Sequence, residues 1–137
     1  MGVKKKYLTP TFLLCILLQV MEKKVRQGDL YDFYGELLTE HQRRIYEDLV
    51  YQDMSLSEIA EEFGISRQGV HDQIRRCDRS LQEYEEKLHL VQKFADAKEV
   101  LSKMEVLAKD SETLDEKGCR RNMAKMRELA SGLLHNF

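Results

Sequence analysis

Basic and amide side chains cluster in one short stretch of the sequence with the spacing of a helix face. Arg67, His71 and Arg75 follow one another at intervals of four residues, which places them in one stripe of an α-helix. An arginine can bind guanine through two hydrogen bonds, and a glutamine such as Gln68 can bind adenine in the same way. Arginines further along can contact phosphates, and so can a serine hydroxyl at the helix N-terminus. The pattern predicts nucleic-acid contact through Ser66, Arg67, Gln68, His71, Arg75, Arg76 and Arg79.

The residues that must position this stripe have the spacing of a helix-turn-helix. Ser55 and Glu58 match a capping box, which begins a short helix. A small residue then allows two helices to cross closely, a glycine allows a sharp turn, and apolar residues close the small core. These requirements are met at the first, fifth, ninth, tenth and fifteenth positions by Leu56, Ala60, Gly64, Ile65 and Val70. Their agreement at fixed offsets predicts a helix-turn-helix from Ser55 to Arg76, with the polar stripe on its second helix.

The same arginines have a second interpretation, as part of an ordinary solvated helix. Acidic residues stand close to them in the sequence, at Asp72, Asp78 and Glu83, and opposite charges three or four residues apart on a helix attract each other. The preceding helix carries three glutamates that would repel a phosphate backbone: Glu58, Glu61 and Glu62. A protein-binding or purely structural use of this surface therefore stays open at this point.

The rest of the chain also follows helical periodicity. Leu30, Phe33, Tyr34, Leu37 and Leu38 form one face of a helix over about residues 28–38. Thr39 and Gln42 match a second capping box, whose helix ends near Asp53. With a single proline, at Pro10, and no apolar β-branched runs, the sequence predicts an all-α fold.

A heptad pattern continues from Ser66 to about Ala95. A helix of that length extends beyond a small three-helix domain, so its distal part needs a partner. A second copy of the chain is one candidate, with a dimer interface at Leu81, Tyr84, Leu88 and Val91. Packing against later helices of the same chain is the alternative. We expect a loop over residues 109–118 and a short last helix from Met123 to Leu133.

Composition limits the classes of function. The net charge is −2 and the sequence pI is about 6.1, so binding of nucleic acid would rely on locally focused basic residues. Cys15, Cys77 and Cys119 are odd in number and form no Cys-x-x-Cys pair, which favours free thiols in a cytoplasmic protein. The four histidines have no metal-ligand spacing. We expect no metal and no cofactor.

An enzyme is not expected, because no phosphate-binding loop and no activated nucleophile is recognisable. Glu86 and His89 match half of a di-iron motif, but a working site needs two such motifs and two further glutamates.

The first twenty residues stand apart from this pattern. Three lysines, Lys4 to Lys6, precede an apolar run from Phe12 to Val20, which is shorter than the ~20 apolar residues that span a bilayer. We expect residues 1–20 to be an upstream extension outside the fold, without stable membrane insertion. A membrane-interacting tail and an additional core helix are the alternatives. The predicted domains are then 21–80, the helix-turn-helix domain, and 81–137, a helical arm with a C-terminal helix.

The segment from Ser55 to Val70, Ser-Leu-Ser-Glu-Ile-Ala-Glu-Glu-Phe-Gly-Ile-Ser-Arg-Gln-Gly-Val, closely resembles the YlxM-type family of small bacterial helix-turn-helix proteins. Flanking residues agree over about residues 21–107. Ser66, Arg67, Gln68 and Val70 match the start of that family's recognition helix, whereas Gly69 replaces an expected alanine and His71 a common tyrosine.

The resemblance implies a fold similar to region 4 of bacterial sigma factors. It also implies a regulatory or accessory role in the signal recognition particle pathway, through the particle's RNA or through its GTPase as a protein partner. The alternative is a dimeric transcription regulator that binds duplex DNA at two half-sites about one helical turn apart.

Overall fold

The computed structural model of the chain describes residues 10–136, with side chains from residue 13 onward. Six α-helices and one short 3-10 helix account for most of this range. In chain order they are α1 (Pro10–Tyr34), a 3-10 turn (Gly35–Leu37), α2 (Glu40–Val50), α3 (Leu56–Phe63), α4 (Arg67–Leu88), α5 (Leu90–Ser111) and α6 (Glu116–His135). No strand occurs within residues 10–136, which confirms the predicted all-α fold.

The chain divides into two units. The first ends at Lys87 and the second begins at Leu88. This division falls later than the predicted one after residue 80, because the end of α4 packs within the first unit: Leu81 and Glu85 are both buried there.

Both predicted capping boxes are present in the first unit. Thr39 Oγ1 accepts a hydrogen bond from the backbone N–H of Gln42, and the Gln42 side chain accepts one from the backbone N–H of Thr39. Ser55 and Glu58 repeat the arrangement at the start of α3. Such caps satisfy N–H groups that a helix leaves without partners, and each is worth about 1 kcal/mol. They set where α2 and α3 begin.

The core of the first unit lies between α1, α2, α3 and the inner face of α4. Its fully buried side chains are Tyr34, Ile45, Tyr46, Ile59, Val70, Cys77 and Leu81. Val70, Ile74, Cys77 and Leu81 recur every three or four residues on α4, so one side of that helix is committed to the core. The other side faces away from it.

Buried polar contacts attach α4 to the first two helices. The Tyr46 hydroxyl donates to Asp78 Oδ1 at 2.6 Å, and Gln27 Nε2 donates to the same oxygen at 2.9 Å. The Tyr34 hydroxyl donates to Glu85 Oε2 at 2.5 Å. Burial and the Asp78 carboxylate together raise the pKa of Tyr46 far above its usual value. The rotation of α4 about its own axis is thereby fixed.

The predicted unbroken helix from Ser66 to Ala95 is wrong. His89 has a left-handed backbone, with φ 53° and ψ 32°, and it separates α4 from α5. Histidine adopts this conformation more readily than β-branched residues do. The break also places Glu86 and His89 on different elements, so the half di-iron motif does not form a helical pair.

Several other boundaries differ from the predictions. α1 runs from Pro10 to Tyr34, whereas the periodicity predicts a helix over about residues 28–38. Phe33 and Leu37, which the periodicity places on a buried face, are 39% and 55% exposed. α2 ends at Val50, and Asp53 has a positive φ of 56°. The predicted loop over residues 109–118 is reduced to a turn between Ser111 and Glu116, because Asp115 caps α6 by accepting from Gly118 N at 2.8 Å.

The second unit is a hairpin of α5 and α6. Asn122 is buried between the two helices, and its Nδ2 donates to Leu107 O and to Ser111 Oγ, both at 3.2 Å. A buried amide that is satisfied in only one alignment opposes sliding of the helices. Asn122 therefore sets the register of the hairpin.

The first half of α1 is exposed throughout residues 13–26. Its apolar side chains include Leu14, Leu17 and Val20, each at least 50% exposed. None of the helices among the described residues combines the length and apolar character needed to cross a bilayer. The assignment of residues 1–20 to an extension outside the fold stays a prediction, and residues 1–9 lie outside the described range.

Cys77 gives a direct test of the core. Burial raises the pKa of its thiol to about 11, and the thiolate is the reactive form. We expect the native C15S/C119S variant, which retains Cys77, to resist labelling by an aromatic disulfide at about pH 8 until denaturant is added. The matched C77A/C119S variant retains the exposed Cys15 and should react at once. Rapid labelling of native C15S/C119S would contradict the burial of Cys77.

Candidate nucleic-acid interface

The turn between α3 and α4 has the geometry that the sequence predicts. Gly64 adopts the left-handed conformation with φ 61° and ψ 33°. The backbone N–H of Ile65 donates to Ala60 O at 3.1 Å, which ends α3. A left-handed glycine just beyond a helix reverses the chain without the strain that a side chain would add. α4 therefore starts three residues later, at Arg67.

Ser66 caps the second helix. Its Oγ accepts a hydrogen bond from the backbone N–H of Gly69 at 2.9 Å. A Cβ atom at position 69 would lie 3.1 Å from that oxygen, which is closer than most real contacts of this kind. The glycine found here leaves room for the capping hydroxyl, whereas alanine would require a small shift. The Ser66 hydroxyl is exposed, next to N–H groups that attract anions.

All seven predicted contact residues are exposed, six of them on α4 and Ser66 just before it. They line two shallow depressions along the helix. The first, of about 360 Å³, is formed by Arg67, Gln68 and His71 together with Leu56 of α3. The second, of about 210 Å³, is formed by Arg75, Arg76 and Arg79 together with Asp72. The stripe runs for ~18 Å along the helix, and we call Arg67, Arg75, Arg76 and Arg79 the arginine stripe.

The arginine stripe forms no ion pair with any carboxylate among the described residues. Other arginines of the first unit have partners: Arg43 binds Glu36 at 2.8 Å, and Arg44 lies 5.4 Å from the centre of the Phe63 ring. The alternative in which the stripe pairs with nearby acids is therefore not what the structure contains. Four exposed guanidinium groups of α4 therefore remain available to an anionic partner.

The acidic residue within the stripe has partners on its own helix. Gln68 Nε2 donates to Asp72 Oδ1 at 3.1 Å, and His71 Nδ1 lies 3.7 Å from the same oxygen. Both contacts are exposed, and exposed pairs contribute ~1 kcal/mol or less. The Gln68 side chain would have to break its hydrogen bond to Asp72 in order to bind a base. Because that hydrogen bond is exposed and weak, breaking it would cost little.

The glutamates of α3 constrain how a nucleic acid could approach. Glu58 accepts the backbone N–H of Ser55 at 2.7 Å, and this hydrogen bond lowers the pKa of its carboxyl group. Glu58 stays ionised, and Glu61 and Glu62 are exposed beside it. A phosphate backbone would be attracted by α4 and repelled by this part of α3.

Two acids of α4 have structural roles that the sequence analysis missed. Asp78, a candidate partner for the arginines on sequence grounds, instead accepts from Tyr46 and Gln27, and Glu85 accepts from Tyr34. Both acids flank the apolar stripe, but their partners lie 32 to 51 residues away, so the local sequence gives no signal for these hydrogen bonds.

The residues proposed for a dimer interface differ in their surroundings. Leu81 has no exposed surface and belongs to the core of the first unit, so it is not available to a second copy. The Tyr84 ring lies 6.1 Å from the Tyr34 ring. Leu88 is 47% exposed and Val91 is half-buried. This set does not form one continuous surface on a single helix, because the helix ends at Leu88.

No group of three or more metal-binding side chains comes together within the part of the chain that the structure describes. The chemistry of the site is that of hydrogen-bond donors and positive charge. It can bind an anion and orient it.

Comparison with known proteins places these residues in a family. The profile described as "Putative helix-turn-helix protein, YlxM / p13 like", UPF0122, matches residues 21–120. UPF0122 proteins of Bacillus cereus strain AH187, Bacillus anthracis strain A0248 and Bacillus thuringiensis subsp. konkukian strain 97-27 are each 47% identical to this chain over 98 residues. The alignments cover 71% of this chain and 88% of each relative. The chain therefore belongs to the UPF0122 family of YlxM / p13-like helix-turn-helix proteins.

Proposed function

We propose that this protein is a regulatory or accessory factor that binds nucleic acid through the exposed face of α4. The observation that carries the proposal is the arginine stripe: four exposed guanidinium groups without a carboxylate partner among residues 10–136, beside the capped N-terminus of the same helix. Guanidinium groups bind phosphates and guanine bases through paired hydrogen bonds. The protein then acts by binding and not by catalysis.

Geometry favours duplex DNA as the form that α4 reads. The second helix of a helix-turn-helix enters the major groove with its N-terminal residues at the base edges. Arg67 and Gln68 occupy those positions, and Arg75, Arg76 and Arg79 follow at positions suited to phosphates. The major groove of an RNA helix is too deep and narrow for this mode. An RNA ligand would be bound at loops or bulges, or through its phosphates.

This nucleic-acid-binding role would fit two cellular settings, which the resemblance to YlxM-type proteins suggests. One is the signal recognition particle pathway, with the particle's RNA or its GTPase as partner. The other is transcription regulation, by a dimer that binds duplex DNA at paired half-sites. Free thiols at Cys15, Cys77 and Cys119 fit a reducing compartment such as the cytoplasm.

The test is to crosslink the tagged protein in cells and to sequence the nucleic acid recovered with it. The protein with R75A/R76A/R79A is the control for background, since it lacks most of the stripe. Enrichment of discrete promoter sites that depends on the stripe would support a transcription regulator. Enrichment of the signal recognition particle RNA would support the targeting pathway. Recovery equal to that of the control would overturn the proposal and direct attention to a protein partner.

A further inference from the structure

The second unit lacks a core of its own. Among residues 88–136 no apolar side chain is buried, although α5 has 22 residues and α6 has 20. The buried residues of α6 are Gly118 and Asn122. An isolated pair of helices, in which each helix buries only the side that faces the other, has marginal stability in water, because most of the stability of a helix comes from burying an apolar face. The hairpin therefore presents apolar surface that a further layer of structure would cover.

That surface includes a groove of about 940 Å³ along one side of the α5–α6 seam. Its apolar lining includes Val100, Val106, Leu107, Leu129 and Leu133. Val106 is 58% exposed, and burial of its apolar side chain against a partner would be favourable in free energy. The groove runs parallel to both helices and offers room for the side chains of another helix pair.

The charges around the groove indicate what kind of partner fits it. Its rim carries two acids and two lysines, Glu99, Glu128, Lys103 and Lys125, and Lys103 binds Glu99 at 2.7 Å. A rim with equal numbers of positive and negative charges has no net charge, so it would attract neither a polyanion nor a strongly basic peptide. It is suited to a surface that meets itself, because a two-fold axis places each acid opposite a residue of the same patch.

We propose that the groove is covered by a second copy of this chain, so that two α5–α6 hairpins form a four-helix bundle around a two-fold axis. Four helices enclose an apolar centre that two cannot. Helices of this length present a face of ~600 Å² per copy, or ~1,200 Å² in total, which reaches the range of stable specific interfaces. This dimer contact lies on the hairpin and not on Leu81, and it does not depend on nucleic-acid binding.

The mass of the full-length chain in solution, measured by light scattering with and without one added charge, tests this proposal. The wild-type protein should have twice the monomer mass of 16.1 kDa. V106E places a carboxylate in the groove and should raise the dissociation constant at least ~100-fold, giving monomer at the same concentration. L101E is the matched control, since Leu101 is on the same helix, is 56% exposed and does not line the groove. L101E should remain dimeric.

Circular dichroism of each variant shows whether the helices are retained, so that loss of dimer is separated from loss of fold. A second measurement needs no substitution in the groove: zero-length crosslinking of an equal mixture of isotopically light and heavy chains should join Lys103 or Lys125 of one copy to Glu99 or Glu128 of the other. A monomeric wild-type protein would overturn the proposal. So would a dimer that V106E leaves intact, or one that L101E breaks as readily, or crosslinks between copies that avoid these four residues.

Discussion

Replacement of Arg75, Arg76 and Arg79 by alanine should weaken nucleic-acid binding ~100-fold. Each arginine that binds a phosphate or base contributes ~1 kcal/mol or more, and a tenfold change in affinity corresponds to ~1.4 kcal/mol. Because each bound phosphate releases condensed counterions, the variant should also show a shallower dependence of affinity on salt, by ~1 for each phosphate that is no longer bound. Fluorescence anisotropy with the recovered nucleic acid over a series of salt concentrations measures both quantities.

The control for this result removes the same charge elsewhere. Arg120, Arg121 and Arg127 are exposed on α6, so R120A/R121A/R127A has the same net charge as the stripe variant. It should bind with nearly the wild-type affinity if the interface is local. Equal weakening by both triple variants would show that binding follows bulk charge, and the assignment of α4 as the interface would then be wrong. R67A and Q68A should reduce sequence preference more than affinity, because base contacts carry the specificity.

The second large effect concerns stability. L81A should lower the free energy of unfolding of the first unit by ~3 kcal/mol, since removal of a buried leucine side chain costs about 2–5 kcal/mol through reduced burial and the cavity left behind. Leu81 has no exposed surface. L37A is the matched control: Leu37 is 55% exposed in the same unit, and its replacement should change stability by ~0.5 kcal/mol or less.

Tyrosine fluorescence in urea is suited to this measurement. The chain has six tyrosines and no tryptophan, and every tyrosine precedes Lys87. The signal therefore follows the first unit without interference from the α5–α6 hairpin. An L81A midpoint close to that of the wild-type protein would mean that Leu81 is not a core residue. In that case the heptad interpretation, with Leu81 at an interface between copies, would again be open.

Much of the fold was predictable because its signals are local. The capping boxes at Thr39 and Ser55 and the left-handed Gly64 depend on contacts within a few residues, and the sequence shows them directly. The exposed side of α4 was predictable for the same reason, since Val70 and Ile74 mark the inner face and leave Arg75 on the outer one.

The errors have a common cause, which is that the deciding contacts are distant in sequence. Asp78 is committed to Tyr46 and Gln27, which are 32 and 51 residues away. Nothing near Asp78 reveals those partners, so pairing with an arginine was an equally reasonable expectation. No glycine or proline lies beside His89 to mark the end of a helix, and the heptad pattern continues across the break.

Taken alone, the sequence determined that the chain is all-α, that it contains a helix-turn-helix at residues 55–76, and that one face of α4 is basic. These properties follow from helical periodicity and from hydrogen bonds within a turn or two. The tertiary structure decided that the arginine stripe has no acidic partner among the described residues: Asp78, which could have paired with it, instead accepts hydrogen bonds from Gln27 of α1 and Tyr46 of α2. It also decided that Leu81 is buried while the seam between α5 and α6 stays open, since burial depends on which helices pack together and not on the pattern of any one of them.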